Sequence, residues 1–176
     1  MNKISFPFII LLMSVMLSGC VGLPSGIIPV SNFDSNRYLG KWYEIARLDH
    51  SFERGLTNVT AEYSLRDDGG IKVLNRGFLA KDNKWKEAEG KAYFVNQKNE
   101  GHLKVSFFGP FYGAYGIFEL DQENYQYAFV AGPNTSYLWL LARTPTVSDE
   151  IIKRFVNKSQ KLGFDTDSLI FVKQDI

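Results

Sequence analysis

The sequence predicts an all-β protein: an eight-stranded antiparallel up-and-down barrel with one C-terminal α-helix packed on its outside and a short final strand. Three observations carry that prediction. Between Trp42 and Arg143, short apolar runs alternate with turn-forming clusters at the spacing of a β-meander. Aromatic residues make up 15% of the chain, with 14 Phe and 9 Tyr, which favours strands and apolar cavities over a helical bundle. After Arg143 the apolar period changes from that of a strand to that of a helix.

The expected strands are Lys41–Leu48, Thr57–Arg66, Ile71–Leu79, Trp85–Val95, Leu103–Phe108, Ala114–Leu120, Tyr125–Ala131 and Tyr137–Arg143. Asp67-Asp68-Gly69-Gly70 supplies a tight hairpin between the second and third, because glycine takes the positive φ such turns need. The other links carry Lys81-Asp82-Asn83-Lys84, Asn99-Glu100-Gly101, Gly109-Pro110, Asp121-Gln122-Glu123-Asn124 and Gly132-Pro133-Asn134. No helical pattern intervenes, so neighbours pair antiparallel. Eight such strands close around an interior wide enough for one small ligand. Ser148 then caps a helix with Asp149 and Glu150 at its start and Lys158 and Lys161 near its end. Its apolar stripe of Ile151, Ile152, Phe155, Val156 and Leu162 suits the barrel's outer wall, or alternatively a membrane surface, and Gly163 ends it. Leu169–Lys173 is a ninth strand free to pair along an edge.

Residues 1–19 read as an address. Lys3 precedes an apolar run from Ile4 to Leu17, too short to span a bilayer and of the length of a secretory signal core. Residues 20–36, with two Pro, two Gly and three Ser from Val21 onward, show no sustained pattern and read as a flexible tether. Residues 37–176 form the barrel domain. Removing Lys3 takes the formal charge from +1 to zero, which leaves no electrostatic footprint for nucleic acid. Cys20 is the only cysteine, so the core must stand without a disulfide.

Two resemblances follow. Leu17-Ser18-Gly19-Cys20 resembles the bacterial lipobox, which implies cleavage before Cys20 and acylation of its thiol and amine. Val21 in place of Asp after the cysteine then implies delivery to the outer membrane, on its periplasmic face. The barrel region resembles the lipocalins, and among them the bacterial lipoprotein lipocalins. The matching residues are Gly40-Lys41-Trp42-Tyr43-Glu44-Ile45-Ala46-Arg47, then Tyr125-Gln126-Tyr127-Ala128-Phe129-Val130-Ala131-Gly132, then Leu138-Trp139-Leu140-Leu141-Ala142-Arg143-Thr144-Pro145. Many lipocalins carry Thr-Asp-Tyr in the second motif, where this chain has Glu123-Asn124-Tyr125.

Strand counting assigns roles. The eighth strand returns Arg143 beside Trp42, where a guanidinium over an indole and donors to nearby carbonyls would plug the floor; Gly40, Trp42 and Arg143 are therefore structural. Links 49–56, 80–84, 109–113 and 132–136 fall at the rim. His50, Phe52, Glu53, Arg54 and Tyr137 are candidates for a polar headgroup. Phe107, Phe108, Phe111, Tyr112 and Tyr115 crowd one rim hairpin, either exposed to a bilayer, a second copy or a ligand tail, or folded inward as a cap. Which face of each strand looks inward stays open.

No catalytic inventory emerges. His50 and His102 lie at opposite barrel ends, which disfavours a metal site, and Asp67 and Asp68 are turn formers. The expectation is a non-enzymatic, cofactor-free container, anchored in the outer membrane through Cys20, for a fatty acid or lysophospholipid, with a rim suited to homodimerisation. The alternative is an adaptor lipoprotein whose barrel is filled by its own side chains.

Overall fold

The computed structural model describes residues 21–175. Cys20 and the expected signal segment lie outside the described residues. Strands β1 (Gly40–Arg47), β2 (Leu56–Leu65), β3 (Ile71–Leu79), β4 (Lys84–Phe94), β5 (His102–Ser106), β6 (Gly113–Leu120), β7 (Tyr127–Ala131) and β8 (Leu138–Ala142) pair in sequence order. Pairing of β1 with both β2 and β8 closes the barrel. A short helix α1 (Ser35–Tyr38) precedes β1, and α2 (Asp149–Lys161) follows β8. The predicted strands agree with these bounds to within a residue or two. The exception in kind is Tyr125, whose φ of 55° takes it out of the seventh strand.

The wall is built from two apolar layers. The inner layer includes Trp42, Ala61, Tyr63, Val73, Ala92, Leu103, Ile117, Val130 and Leu141. The outer layer, under α2, includes Ile45, Ala46, Phe118, Phe129, Leu138, Leu140, Ala142 and Phe155. The open question of facing is thereby answered: Leu103, Val105 and Phe107 look in, whereas Leu138, Leu140 and Ala142 look out under the helix.

Two bulges break the alternation. In β1 the register with β8 shifts between Glu44 and Ala46, so Ile45 and Ala46 both face outward. In β6 it shifts between Ile117 and Glu119. Glu119, which strict alternation would place on the face of Tyr115 and Ile117, instead turns toward α2, where Lys158 Nζ stands 2.7 Å from its carboxylate. A bulge inserts one unpaired residue and reverses the facing of everything after it.

Helix α2 is capped as expected, the Ser148 side chain accepting from the Ile151 N–H. Its Phe155 is fully buried against Phe129, ring centroids 5.0 Å apart. The stripe is consumed by the wall. Strand β9 (Ile170–Phe171) pairs with the rim half of β1, at Ala46 and Arg47, which β2 leaves free. Beyond it the Gln174 side chain donates to the carbonyls of Glu44 (2.8 Å) and Val59 (3.0 Å), bridging β1 to β2.

Residues 21–36 differ from the patternless tether the composition suggested. Ile27 and Phe33 are buried. The Val30 N–H donates to Ile117 O, and Gly101 donates back to Val30 O, each at 2.8 Å. Apolar residues too few to make a periodic pattern still suffice to hold a segment against a preformed wall.

Candidate functional site

The sealed end is built by Arg143. Its guanidinium carbon lies 4.1 Å from the centroid of the fully buried Trp42 ring. Nη1 donates to Lys41 O (2.9 Å), Nη2 to Arg37 O (2.7 Å) and Nε to Tyr125 O (3.3 Å). Trp42 Nε1 donates to Tyr38 O over 2.8 Å. Gly40 has φ +90°, and it is this backbone turn that requires glycine, since a Cβ there would meet Arg143 Nη1 at an ordinary contact distance of 3.5 Å. Helix α1, which the sequence did not reveal, presents its carbonyls to this plug.

Above the floor lies an inner chamber of about 280 Å³, lined by apolar groups such as Val59, Ala61, Val73, Val105 and Leu141. It adjoins an outer chamber of about 710 Å³ at the mouth, reached past Phe52, Val59 and Phe107, which line both. Three phenols close the bottom: the Tyr115 hydroxyl is 2.8 Å from those of both Tyr38 and Tyr63. Burial, first among the causes, pushes all three hydroxyls well above the usual phenol range, so they stay neutral.

One wall of the chamber is charged. Arg47 Nη1 donates to Glu44 Oε1 (2.7 Å), and Nη2 to Glu53 O (2.9 Å). His50 Nε2 stands 3.0 Å from Glu53 Oε2, and Trp139 Nε1 donates to the same oxygen over 3.1 Å. All four ionisable residues are at most 6% exposed. Burial, with the Glu53 carboxylate adding to it, raises the Glu44 carboxyl well above its ordinary value despite Arg47. Asn75 Oδ1, buried and without a protein partner, belongs to a side chain that lines both chambers.

The rim candidates separate into three groups. His50 and Glu53 are buried in the charged wall, and Tyr137 lines the inner chamber, its ring 5.7 Å from that of His50. Phe52, Phe108 and Phe111 are exposed at 58%, 81% and 65%, yet each also lines the outer chamber. The hairpin therefore leaves Phe108 and Phe111 exposed at its tip, while Phe107 at its base packs on the inner layer. Arg54 pairs with Asp49 at the surface (2.7 Å), and Tyr112 lies under Lys104, 5.2 Å from ring centroid to Nζ. Tyr115 corrects the expectation: it is a floor residue of the inner chamber. Two residues beyond Gly113 on an inward-facing strand, its side chain points down the barrel instead of out of the mouth.

Glu44, Arg47, Asn75 and Trp139 were not singled out from sequence. Glu44 shares a face with Trp42 two residues earlier, and a charge on that inward face was the available signal. Arg47 carried none, since only the bulge returns it to the inside. Among the described residues, no group of three or more His, Cys, Asp or Glu side chains is placed to hold a metal.

A closed antiparallel barrel, plugged at one end by an Arg–Trp pair and opening at the other through joined chambers, defines a cup-shaped β-barrel of the calyx class. Residues 33–174 match the model of the lipocalin-like domain. The chain belongs to the lipocalin family. It is 65% identical over 165 residues to the outer membrane lipoprotein Blc of Vibrio cholerae serotype O1, covering 94% of this chain and 96% of that protein. It is 54% identical to the Blc lipoprotein of Escherichia coli strain K12, covering 86% and 85%. Insecticyanin from the tobacco hornworm shares the fold at 19% identity, with a TM-score of 0.68 over 86% of each chain.

Proposed function

We propose that this lipocalin is a non-enzymatic outer membrane lipoprotein that binds and carries or stores one lipid-like amphiphile, a fatty acid or lysophospholipid. The apolar inner chamber carries the reading. Burying an acyl chain of about 16 carbons is worth roughly 13 kcal/mol gross at about 0.8 per methylene, before association costs. The chamber's polar groups favour a tail-first orientation. Glu44 and Glu53 repel a bare carboxylate placed deep, whereas Lys81 and Lys86 line the outer chamber, beside Arg54 paired with Asp49 and Arg76 paired with Glu87, and suit an anionic head. Acylation of Cys20 anchors the protein on the periplasmic face of the outer membrane, in keeping with the names of the Blc relatives. The exposed Phe108 and Phe111 offer a homodimer contact.

The test uses mature protein lacking Cys20, stripped of lipid and titrated with an environment-sensitive fluorescent fatty acid, then competed with fatty acid and lysophospholipid. Saturation near one site per barrel at micromolar affinity supports the carrier, and the order of competition names the ligand class. No saturable binding by folded protein sinks it in favour of an adaptor.

A further inference from the structure

The inner chamber is lined by two acids and by no base. Glu44 and Glu53 bring carboxyls to it, and its lining residues include no Lys, Arg or His. Arg47, the partner of Glu44, is 1% exposed and lines neither chamber. Its donors are spent behind the wall, Nη1 on Glu44 Oε1 over 2.7 Å and Nη2 on the Glu53 carbonyl over 2.9 Å. His50 also stands behind Glu53, Nε2 3.0 Å from Oε2, and does not line the chamber. A molecule inside therefore meets the carboxyls directly and their counter-charges only through them.

The two carboxyls lie within hydrogen-bonding reach of each other, and burial together with that neighbour raises Glu44, so the pair holds a proton between them. The charged and titratable groups around Glu44 are few. Arg47 lies on its own strand, Glu53 and His50 on the link to β2, and Tyr63 on β2. The facing segments of β8 (Leu138–Ala142) and β9 (Ile170–Phe171) carry no titratable side chain. An ammonium can replace the shared proton and donate to both acids, through charge-assisted hydrogen bonds in a dry site. The rest of the lining suits the same group. Phe52, Tyr63, Phe107, Tyr115, Tyr137 and Trp139 all line this chamber, and aromatic faces attract a cation most strongly where water is excluded.

We propose that the inner chamber is a site for apolar amines, a protonated primary amine on an alkyl or aryl body, with the ammonium held by Glu44 and Glu53 among the aromatic rings. This goes beyond the acyl cargo and rests on the open chamber proposed for it. The acids that turn a carboxylate toward the mouth draw an ammonium inward. A phosphate on the same ligand finds no base in the inner chamber, so the amine is one without phosphate. The charge balances by exchange: the ligand enters as the ammonium ion, and the proton of the carboxyl pair leaves to solvent.

Three probes of equal chain length test this: decylamine, decanol and decanoate, each competed against the fluorescent fatty acid on lipid-free protein. The measurement is made at about pH 8, well below the roughly 10.4 at which an alkylammonium such as lysine gives up its proton. We expect the amine to bind about tenfold or more tighter than the alcohol, and the carboxylate to bind no tighter than the alcohol. Calorimetry in two buffers of different ionisation enthalpy should show a proton released with the amine and none with the alcohol. In Glu44→Gln, and separately in Glu53→Gln, the ratio of amine to alcohol affinity should fall to within about threefold of unity. Either isosteric variant suffices if the other fails to fold. A carboxylate that binds as tightly as the amine overturns the proposal. An amine preference that survives in both folded variants also overturns it, because the ammonium then sits elsewhere. Saturable binding of the fluorescent fatty acid with no preference for the amine overturns this inference alone. Folded protein that saturates with no probe at all overturns the carrier reading together with it.

Discussion

Glu44 and Arg47 form a 2.7 Å ion pair on the inner wall although they stand three residues apart in one strand. In a regular strand such residues face opposite ways. The β1 bulge inserts one residue between them, sends Ile45 and Ala46 to the helix side, and returns the guanidinium to the carboxylate. The chamber wall thereby gains a guanidinium beside two acids and one imidazole, all buried.

Protons bind Glu44 more tightly in the folded chain than in the unfolded one, because burial and Glu53 raise its carboxyl above 4.5. Its contribution to stability is therefore complete below that value and is lost as pH rises through the folded pKa. Arg47, Glu53 and His50 surround it. The lowered carboxyls of Asp49, Asp68 and Asp175 act in the opposite sense and only below 3.8. Thermal melts of the wild type should fall as pH climbs above about 5, and Glu44→Gln should flatten that slope. An identical slope in the variant refutes the assignment.

Arg143→Ala should lower unfolding free energy by about 2 kcal/mol, from loss of the contact with Trp42 and of three donors to backbone carbonyls. Arg143→Lys keeps the charge but not the fork and should recover less than half of that. Denaturant melts read both, and an unchanged midpoint for Arg143→Ala would show that the floor does not depend on the plug.

Tyr115→Phe removes the central hydroxyl of three and leaves two buried hydroxyls without their partner, a loss of about 2 kcal/mol. Tyr63→Phe removes an end and breaks one bond, about 1 kcal/mol. Equal losses would mean that the chain of hydroxyls is not continuous.

Gly113 lines the inner chamber, and nothing stands within 4 Å of a Cβ placed there. Gly113→Phe should push a ring into open space and weaken acyl-ligand binding by about tenfold or more, with little change in melting temperature. Full affinity in the variant would locate the ligand elsewhere.

Strand order, the helix with its Ser148 cap and the Arg143–Trp42 plug could all be read from alternation, turn chemistry and position along a meander. What escaped depends on non-repeating geometry. Bulges are single-residue events that period counting averages away, and they decided the facing of Arg47 and Glu119. Helix α1, at four residues, is shorter than any pattern window. The Val21 carbonyl bound by His102 Nε2 joins positions 81 residues apart, for which local composition holds no signal. The charged wall was half visible: His50 and Glu53 were singled out for a headgroup, while Glu44 and Arg47, quoted within a motif, were not.

Arg143 grips the floor through the carbonyl oxygens of residues 37, 41 and 125 and touches none of their side chains through those bonds. A closure that reads backbone instead of side chains is indifferent to spelling. For an engineer, the lower end is a transplantable lid whose chemical demand concentrates on glycine 40, tryptophan 42 and arginine 143. Everything a redesigned cup needs in order to choose a new cargo can be rewritten above it.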